Sequence, residues 1–90
     1  MDNGEDWYIL DVRSIYEYRH GHIEGSVNIV VNSLMSHIHK IPRNKPVALI
    51  CATGARSSLG CQLLTGSGFD NVYNVRGGMS RWVLSGYPTA

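Results

Sequence analysis

The sequence has little of what defines several protein classes. Its 90 residues hold two cysteines, three prolines and one phenylalanine, and no apolar run long enough to span a membrane. Two cysteines do not make a disulfide framework, so a reducing cytoplasm is the expected compartment. The formal net charge is only +1, which predicts neither a nucleic acid nor a membrane as partner. The acidic and polar first ten residues predict no signal peptide.

The residues that are present indicate one small α/β domain over residues 1–90. Apolar residues make up 43% of the chain and charged residues 17%, which is typical of a soluble globular protein. Apolar, β-rich runs predict four strands, at residues 7–12, 27–31, 47–51 and 72–75. Their nearly continuous hydrophobicity favours a parallel sheet that is covered on both faces.

Helical signals fall between the predicted strands. Ser14 and Glu17 form a capping box, which predicts a short helix to about residue 19. Ser33 is the predicted N-cap of a second short helix. Residues 55–64 give the strongest helix, with Leu59 and Leu63 four apart on one face, and residues 79–85 give a last one. Because ligands of open parallel sheets bind at the carboxyl ends of strands, the site is expected there.

One segment carries the chemistry, because a buried strand ends in Cys51 and an arginine follows at the start of a helix. The short loop can turn its backbone N–H groups inward as an anion-binding nest, and Gly54 permits the required backbone angles. The helix N-terminus and Arg56 add positive potential. In such surroundings a cysteine pKa falls from about 8.5 to roughly 3.5–7.5.

The same residues also allow a simpler interpretation. A lone cysteine at the end of a strand is more often a small buried hydrophobe than a nucleophile. Other anion-binding loops could also produce the pattern of Cys51, Gly54 and Arg56. On the residues alone, both interpretations stay open.

Four motifs in order resemble those of the single-domain rhodanese-like sulfurtransferases. Leu-Asp-Val-Arg at residues 10–13 resembles the first signature of that family. Gly-His-Ile-Glu-Gly-Ser at residues 21–26 resembles its Gly-His-Ile-Pro-Gly-Ala motif. Residues 51–56 correspond to its six-residue catalytic loop, and Val-Arg-Gly-Gly at residues 75–78 with Trp82 resembles its closing motif. The resemblance extends over nearly the whole chain and implies a three-layer domain with a central, mainly parallel sheet flanked by helices.

The resemblance also implies a reaction. Cys51 would be the nucleophile that becomes a persulfide, in a two-step transfer through a covalent intermediate. Arg56 would attract anionic donors such as thiosulfate, and a thiophilic molecule or an acceptor protein would take the sulfur. No metal and no organic cofactor is implied. The backbone amides that would stabilise the sulfur belong to Ala52, Thr53, Gly54, Ala55 and Arg56.

The chain departs from the family pattern in two places. Glu24 and Ser26 replace the usual proline and alanine, which is expected to affect only the stiffness of a turn. The family also begins with a short strand and helix before its Asp-Val-Arg strand, and only about eight residues precede that strand here. The sheet is therefore expected to lack an edge strand, or the chain to be a piece of a longer protein, and an unprotected edge invites association.

The sequence also suggests roles for Asp11, Arg13 and Cys61 and leaves other functions open. Asp11 and Arg13 end a strand near the expected site, where structural pairing is favoured over substrate contact. Cys61 is expected to be inert. Roughly 9 Å of helical rise separates it from the start of its helix, and a disulfide with Cys51 needs Cα atoms within about 7 Å. The alternatives are a phosphatase or arsenate reductase on the same fold, a non-catalytic interaction module, and one module of a larger redox protein.

Overall fold

A computed structural model of the chain describes residues 6–75 and 77–80. Strands and helices alternate along the chain, as the sequence predicts for an α/β fold. In chain order the elements are β1 (Tyr8–Asp11), α1 (Ile15–Arg19), β2 (Val27–Asn28), two 3-10 helices (Val31–Ser33 and Met35–Lys40), β3 (Val47–Ile50), α2 (Ala55–Gly66) and β4 (Val72–Asn74).

The four strands form one sheet in the order β2-β1-β3-β4, and all three strand pairs are parallel. The prediction of a parallel sheet is therefore confirmed. β2 is shorter than predicted, because the chain turns into a 3-10 helix at Val31. The amides of Ile29 and Val31 still bond to the carbonyl oxygens of Asp11 and Val12, so this segment stays attached to the β1 side of the sheet.

Apolar side chains cover the sheet on both faces. Along the β3 segment, Val47, Leu49 and Cys51 belong to the larger core cluster, whereas Ile50 belongs to a smaller one, as the two-residue period of a strand requires. In the smaller cluster Ile50 packs with Ile23 and Met79. The buried members of the larger cluster are Leu10, Val12, Ile29, Val31, Leu34, Ile41, Val47, Leu49, Cys51, Leu64 and Phe69.

Helix α1 begins with the predicted capping box. The Ser14 hydroxyl accepts a hydrogen bond from the amide of Glu17 at 3.1 Å, and the Glu17 carboxylate accepts one from the amide of Ser14 at 3.0 Å. These bonds satisfy two backbone donors that the first turn of a helix leaves free.

The prediction that Ser33 caps a helix is wrong. Ser33 is the last residue of the first 3-10 helix, and the second begins after Leu34 without a side-chain cap. The buried side chains here are Val31 and Leu34. Their three-residue spacing suits 3-10 turns, which bring such residues to one side. Packing of the core therefore overrides the local capping signal.

Helix α2 forms where predicted, but another face is buried. Leu59 is 48% exposed, whereas Ser57, Gly60 and Leu64 are buried. A Cβ atom at Gly60 would lie 2.6 Å from the Leu49 side chain, so the missing side chain lets α2 lie close to β3. The expectation fails for Leu59, because small residues form much of the inward face, whereas Leu63 is partly buried and packs against the larger core cluster.

The last predicted helix lies mostly outside the described residues. Residues 78–80 are helical, and residues 81–85, with Trp82, fall outside the described ranges, as does Arg76 of the closing motif. Among the residues that are described, no helix has the length and apolar character needed to cross a bilayer.

Candidate active site

Cys51 lies at the carboxyl edge of the sheet, directly after the fully buried strand β3. Asp11 ends β1 and Asn74 ends β4, and the registers Asp11↔Ile50 and Leu49↔Asn74 place these strand ends beside that of β3. Cys51 itself is 1% exposed, whereas Thr53 in the following loop is exposed. The sulfur thus lies on the floor of a loop whose outer part faces solvent.

Hydrogen-bond donors surround the Cys51 sulfur. The backbone amide of Gly54 lies 3.0 Å from Sγ and that of Ser57 lies 3.3 Å from it, with the Ser57 hydroxyl oxygen at 3.4 Å. Gly54 has φ 109°, a left-handed conformation that residues with a Cβ rarely adopt. This turn brings its amide onto the sulfur, as the sequence suggests for an anion-binding nest.

These donors decide the acidity of the thiol. Burial by itself would raise the pKa of Cys51. When the Ser57 hydroxyl donates to the sulfur, its bond and those from the amides of Ser57, Gly54 and Thr53 outweigh burial, and the pKa of Cys51 lies below its ordinary value. The loop therefore favours a thiolate, the nucleophilic form of cysteine.

Arg56 forms a bridge from the start of α2 to α1. Its guanidinium donates to both carboxylate oxygens of Glu17, at 2.7 and 3.0 Å. The bond from Arg56 is the main reason why the pKa of Glu17 falls to about 2, and the bond to Glu17 is the main reason why that of Arg56 is raised. Arg56 thus combines a structural contact with a positive charge whose field includes the Cys51 thiolate.

The double glycine after β4 supports the other side of the loop. The amide of Met79 donates to the carbonyl oxygen of Cys51 at 2.7 Å, and that of Ser80 donates to the carbonyl oxygen of Ala52 at 3.0 Å. A Cβ atom at Gly78, which has φ 55°, would lie 2.1 Å from the Cys51 carbonyl oxygen. Only glycine fits this close approach of the two backbone segments.

Asp11 and Arg13 pair with each other. Arg13 donates from Nε and Nη2 to the fully buried carboxylate of Asp11, with a shortest distance of 2.8 Å. Nη2 also donates to the carbonyl oxygen of Gly21 at 2.8 Å, which connects β1 to the turn at residues 21–26. The geometry agrees with the structural interpretation of this pair.

Three residues of the site escaped sequence reasoning. Ser57 lies one residue beyond the expected loop, and its hydroxyl donates to Oδ1 of Asn74 at 2.5 Å. Asn74 also donates from Nδ2 to the carbonyl oxygen of Gly54 at 3.3 Å. The sequence pattern predicted the role of Glu17 in the capping box, but it did not predict the bond from Arg56 to Glu17. The buried 57/60/64 face of α2 could have identified Ser57, whereas nothing local marks Asn74.

Cys61 differs from Cys51 although both cysteines are free. It lies in the middle of α2, and burial raises the pKa of its thiol to about 11. Across the described ranges, histidine, cysteine and carboxylate side chains nowhere cluster in threes that could hold a metal ion. His20 and His22, the histidines before the Gly-His-Ile turn and within it, each face a backbone carbonyl oxygen of α1.

A comparison of the whole sequence with known protein families agrees with the fold. Residues 1–85 match the rhodanese-like domain family. The chain belongs to this family, as its motifs suggest. A crystal structure of a rhodanese-related protein from Thermoplasma volcanium is 36% identical, with a TM-score of 0.89 over 93% of this chain and 83% of that one.

Similar proteins include single-domain enzymes and parts of longer proteins. The thiosulfate sulfurtransferase GlpE of Shewanella oneidensis is 32% identical over 91% of this chain and 81% of that protein. The putative sulfur carrier protein YrkF of Bacillus subtilis is 35% identical over 91% of this chain but 44% of that protein. The uncharacterized protein YqhL of Bacillus subtilis is 36% identical, and the chain spans 59% of its length. Sulfurtransferases and sulfur carriers are thus among the relatives.

Proposed function

We propose that the chain is a thiosulfate sulfurtransferase or sulfur carrier in which Cys51 accepts sulfane sulfur and passes it to a thiophilic acceptor. The observation that carries the proposal is the set of donors from Gly54 and Ser57 around the Cys51 sulfur. These groups favour the thiolate that must attack the donor. The named sulfurtransferases among the relatives support the same reaction class.

The transfer has two steps. The Cys51 thiolate attacks the outer sulfur of thiosulfate, a sulfur–sulfur bond to Cys51 forms, and the old sulfur–sulfur bond breaks with release of sulfite. Cyanide or another thiophile then attacks the outer sulfur of the persulfide anion and restores the thiolate. Each step forms one bond and breaks one, with the electron pair of the old bond leaving on sulfite or on Cys51, so it needs no external oxidant or reductant. The charge of Arg56 near the loop favours the approach of an anionic donor.

The surroundings of Asp11 do not favour hydrolysis of a phosphate ester at Cys51. Its carboxylate, at the end of the neighbouring strand β1, is a candidate general acid, but it is fully buried and bonded to Arg13. Thr53 in the loop is too weak an acid to protonate the leaving oxygen of a phosphate ester. We therefore expect sulfur transfer from thiosulfate and negligible hydrolysis of an aryl phosphate.

Mass spectrometry of the intact protein tests this proposal. After thiosulfate treatment, the mass should rise by one sulfur atom, and cyanide should remove that atom. Cys51→Ser should abolish the mass increase, whereas the matched variant Cys61→Ser should retain it. Turnover of thiosulfate by Cys51→Ser, or Cys51-dependent phosphatase activity of the unchanged protein, would contradict the proposal.

A further inference from the structure

The Ser57 hydroxyl lies between two groups that compete for its proton. Its oxygen is 3.4 Å from the Cys51 sulfur and 2.5 Å from Oδ1 of Asn74. A hydroxyl has one proton to donate and two lone pairs that accept. It can therefore donate to the sulfur or to Asn74, but not fully to both.

The orientation of Asn74 decides this competition. Nδ2 donates to the carbonyl oxygen of Gly54, which places Oδ1 against Ser57. The reversed amide would set Oδ1 against the Gly54 carbonyl oxygen, and two acceptors would then face each other without a proton. Oδ1 has no proton to give, so the proton between the two side chains belongs to Ser57.

We infer that Asn74 is a positioning residue that holds the hydroxyl proton of Ser57 away from the Cys51 sulfur, an inference that rests on the proposed role of Cys51. In the thiol form, the S–H group donates to the free lone pair of Ser57. The chain of bonds then runs from Cys51 through Ser57 to Asn74. This arrangement stabilises the protonated thiol.

Loss of the thiol proton breaks the arrangement. The lone pair of Ser57 then faces a negative sulfur, unless the hydroxyl rotates and leaves Oδ1 of Asn74 without its donor. The amides of Gly54 and Ser57 favour the thiolate in either case. Asn74 therefore opposes part of what these amides do, and it adjusts the thiolate fraction from a neighbouring strand.

The effect of Asn74 on the Cys51 thiol is separate from that of the charged groups nearby. Arg56 faces the loop from the start of α2, and its charge interacts with Glu17 on α1, with Cys51 and with Asp11 on β1. Among the described residues of β4, the titratable side chain is that of Tyr73, which packs edge-on against Trp7 with ring centroids 5.1 Å apart. A change at Asn74 leaves all of these groups in place.

The experiment is the pH profile of Cys51 alkylation by iodoacetamide, followed by peptide mass spectrometry. Asn74→Ala frees the Ser57 hydroxyl to donate to the thiolate, so the midpoint should move to lower pH. Below the midpoint the rate should rise by about threefold to tenfold, the factor expected for one ordinary hydrogen bond. Asn74 is exposed, so this variant should fold. Gln62→Ala, at an exposed position of α2, is the matched control and should not move the midpoint.

The double variant separates this role from simple support of the loop. In a Ser57→Ala background no hydroxyl remains, so Asn74→Ala should no longer shift the midpoint. A midpoint that stays or rises in the single variant would overturn the inference, as would a shift of equal size in the Ser57→Ala background. Alkylation does not require sulfur transfer, so a protein that fails as a sulfurtransferase could still pass or fail this test.

Discussion

The two cysteines lie ten residues apart, and their surroundings act on them in opposite directions. Cys51 is the more deeply buried residue, yet its pKa is lowered, whereas burial raises the pKa of Cys61 to about 11. Cys51 follows a strand and receives amide N–H groups from a loop and a helix start. Cys61 lies within α2, where the neighbouring amides already donate to backbone carbonyl groups. Hydrogen-bond donors from Ser57, Gly54 and Thr53, and not exposure, thus distinguish the two thiols.

The largest expected effect comes from breaking the support of the Cys51 loop. In Gly78→Ala, the added Cβ would lie 2.1 Å from the Cys51 carbonyl oxygen, so the two segments must separate. We expect a loss of about 1–3 kcal/mol of unfolding free energy, as for other overpacked sites. Most of the sulfur transfer should also be lost. Urea denaturation and a thiosulfate:cyanide assay measure the two effects.

The matched control for Gly78→Ala is Gly66→Ala. A Cβ at Gly66, the last residue of α2, meets no atom within 4 Å. This variant should keep both stability and activity. Full activity of Gly78→Ala would show that the close approach does not shape the loop.

A moderate effect is expected from Arg56→Ala, which separates the contribution of charge from that of the amides. The variant removes the positive charge near Cys51 and keeps the Gly54 and Ser57 donors. The KM for thiosulfate should rise by about tenfold, in proportion to a lost charge-assisted contact. The stability should change by less than about 1 kcal/mol, because the ion pair with Glu17 is partly exposed.

Arg43→Ala controls for the loss of a positive charge elsewhere. The Arg43 guanidinium lies 4.1 Å from the ring centroid of Phe69, and it donates to the carbonyl oxygen of Ser67. Its removal should leave the KM for thiosulfate unchanged. Equal kinetic effects of the two variants would mean that only the net charge matters.

The smallest effect concerns the pH dependence of the Glu17–Arg56 bridge. The bridge is the main reason why the pKa of Glu17 falls from 4.5 to about 2, so its stabilisation is fully present above pH 4.5 and is lost as the pH falls through 2. Glu17→Gln should therefore be less stable than the parent at pH 6, by less than about 1 kcal/mol for this partly exposed pair. The difference should disappear toward pH 2 in denaturation series. A difference that stays constant with pH would rule out the ion pair as its source.

Local signals predicted the frame of the molecule and the cysteine loop. The strand that ends at Cys51, the turn at Gly54 and the capping box of Ser14 and Glu17 depend on neighbours within a few residues. The bond from Arg56 to Glu17 joins residues 39 apart, and the bond from Ser57 to Asn74 joins residues 17 apart. Such contacts follow from the order of strands and helices in space, which a single sequence does not give.

Apolar spacing was misleading where small residues form the buried face. Leu59 and Leu63 suggested the inward side of α2, but close packing at Gly60 turns Leu59 toward solvent. The same close packing accompanies the burial of Ser57, whose amide reaches the Cys51 sulfur. A missed core position and a missed site residue therefore lie on the same buried face of α2.

The most direct test of the account is the rate of alkylation of both cysteines in one protein, measured against pH and resolved by peptide mass spectrometry. We expect Cys51 to react with a midpoint below the ordinary pKa of a cysteine thiol. We expect Cys61 to react slowly, with a midpoint near 11. Overlapping profiles, or a lower midpoint for Cys61, would contradict the claim that the hydrogen-bond donors around Cys51 make it the reactive thiol.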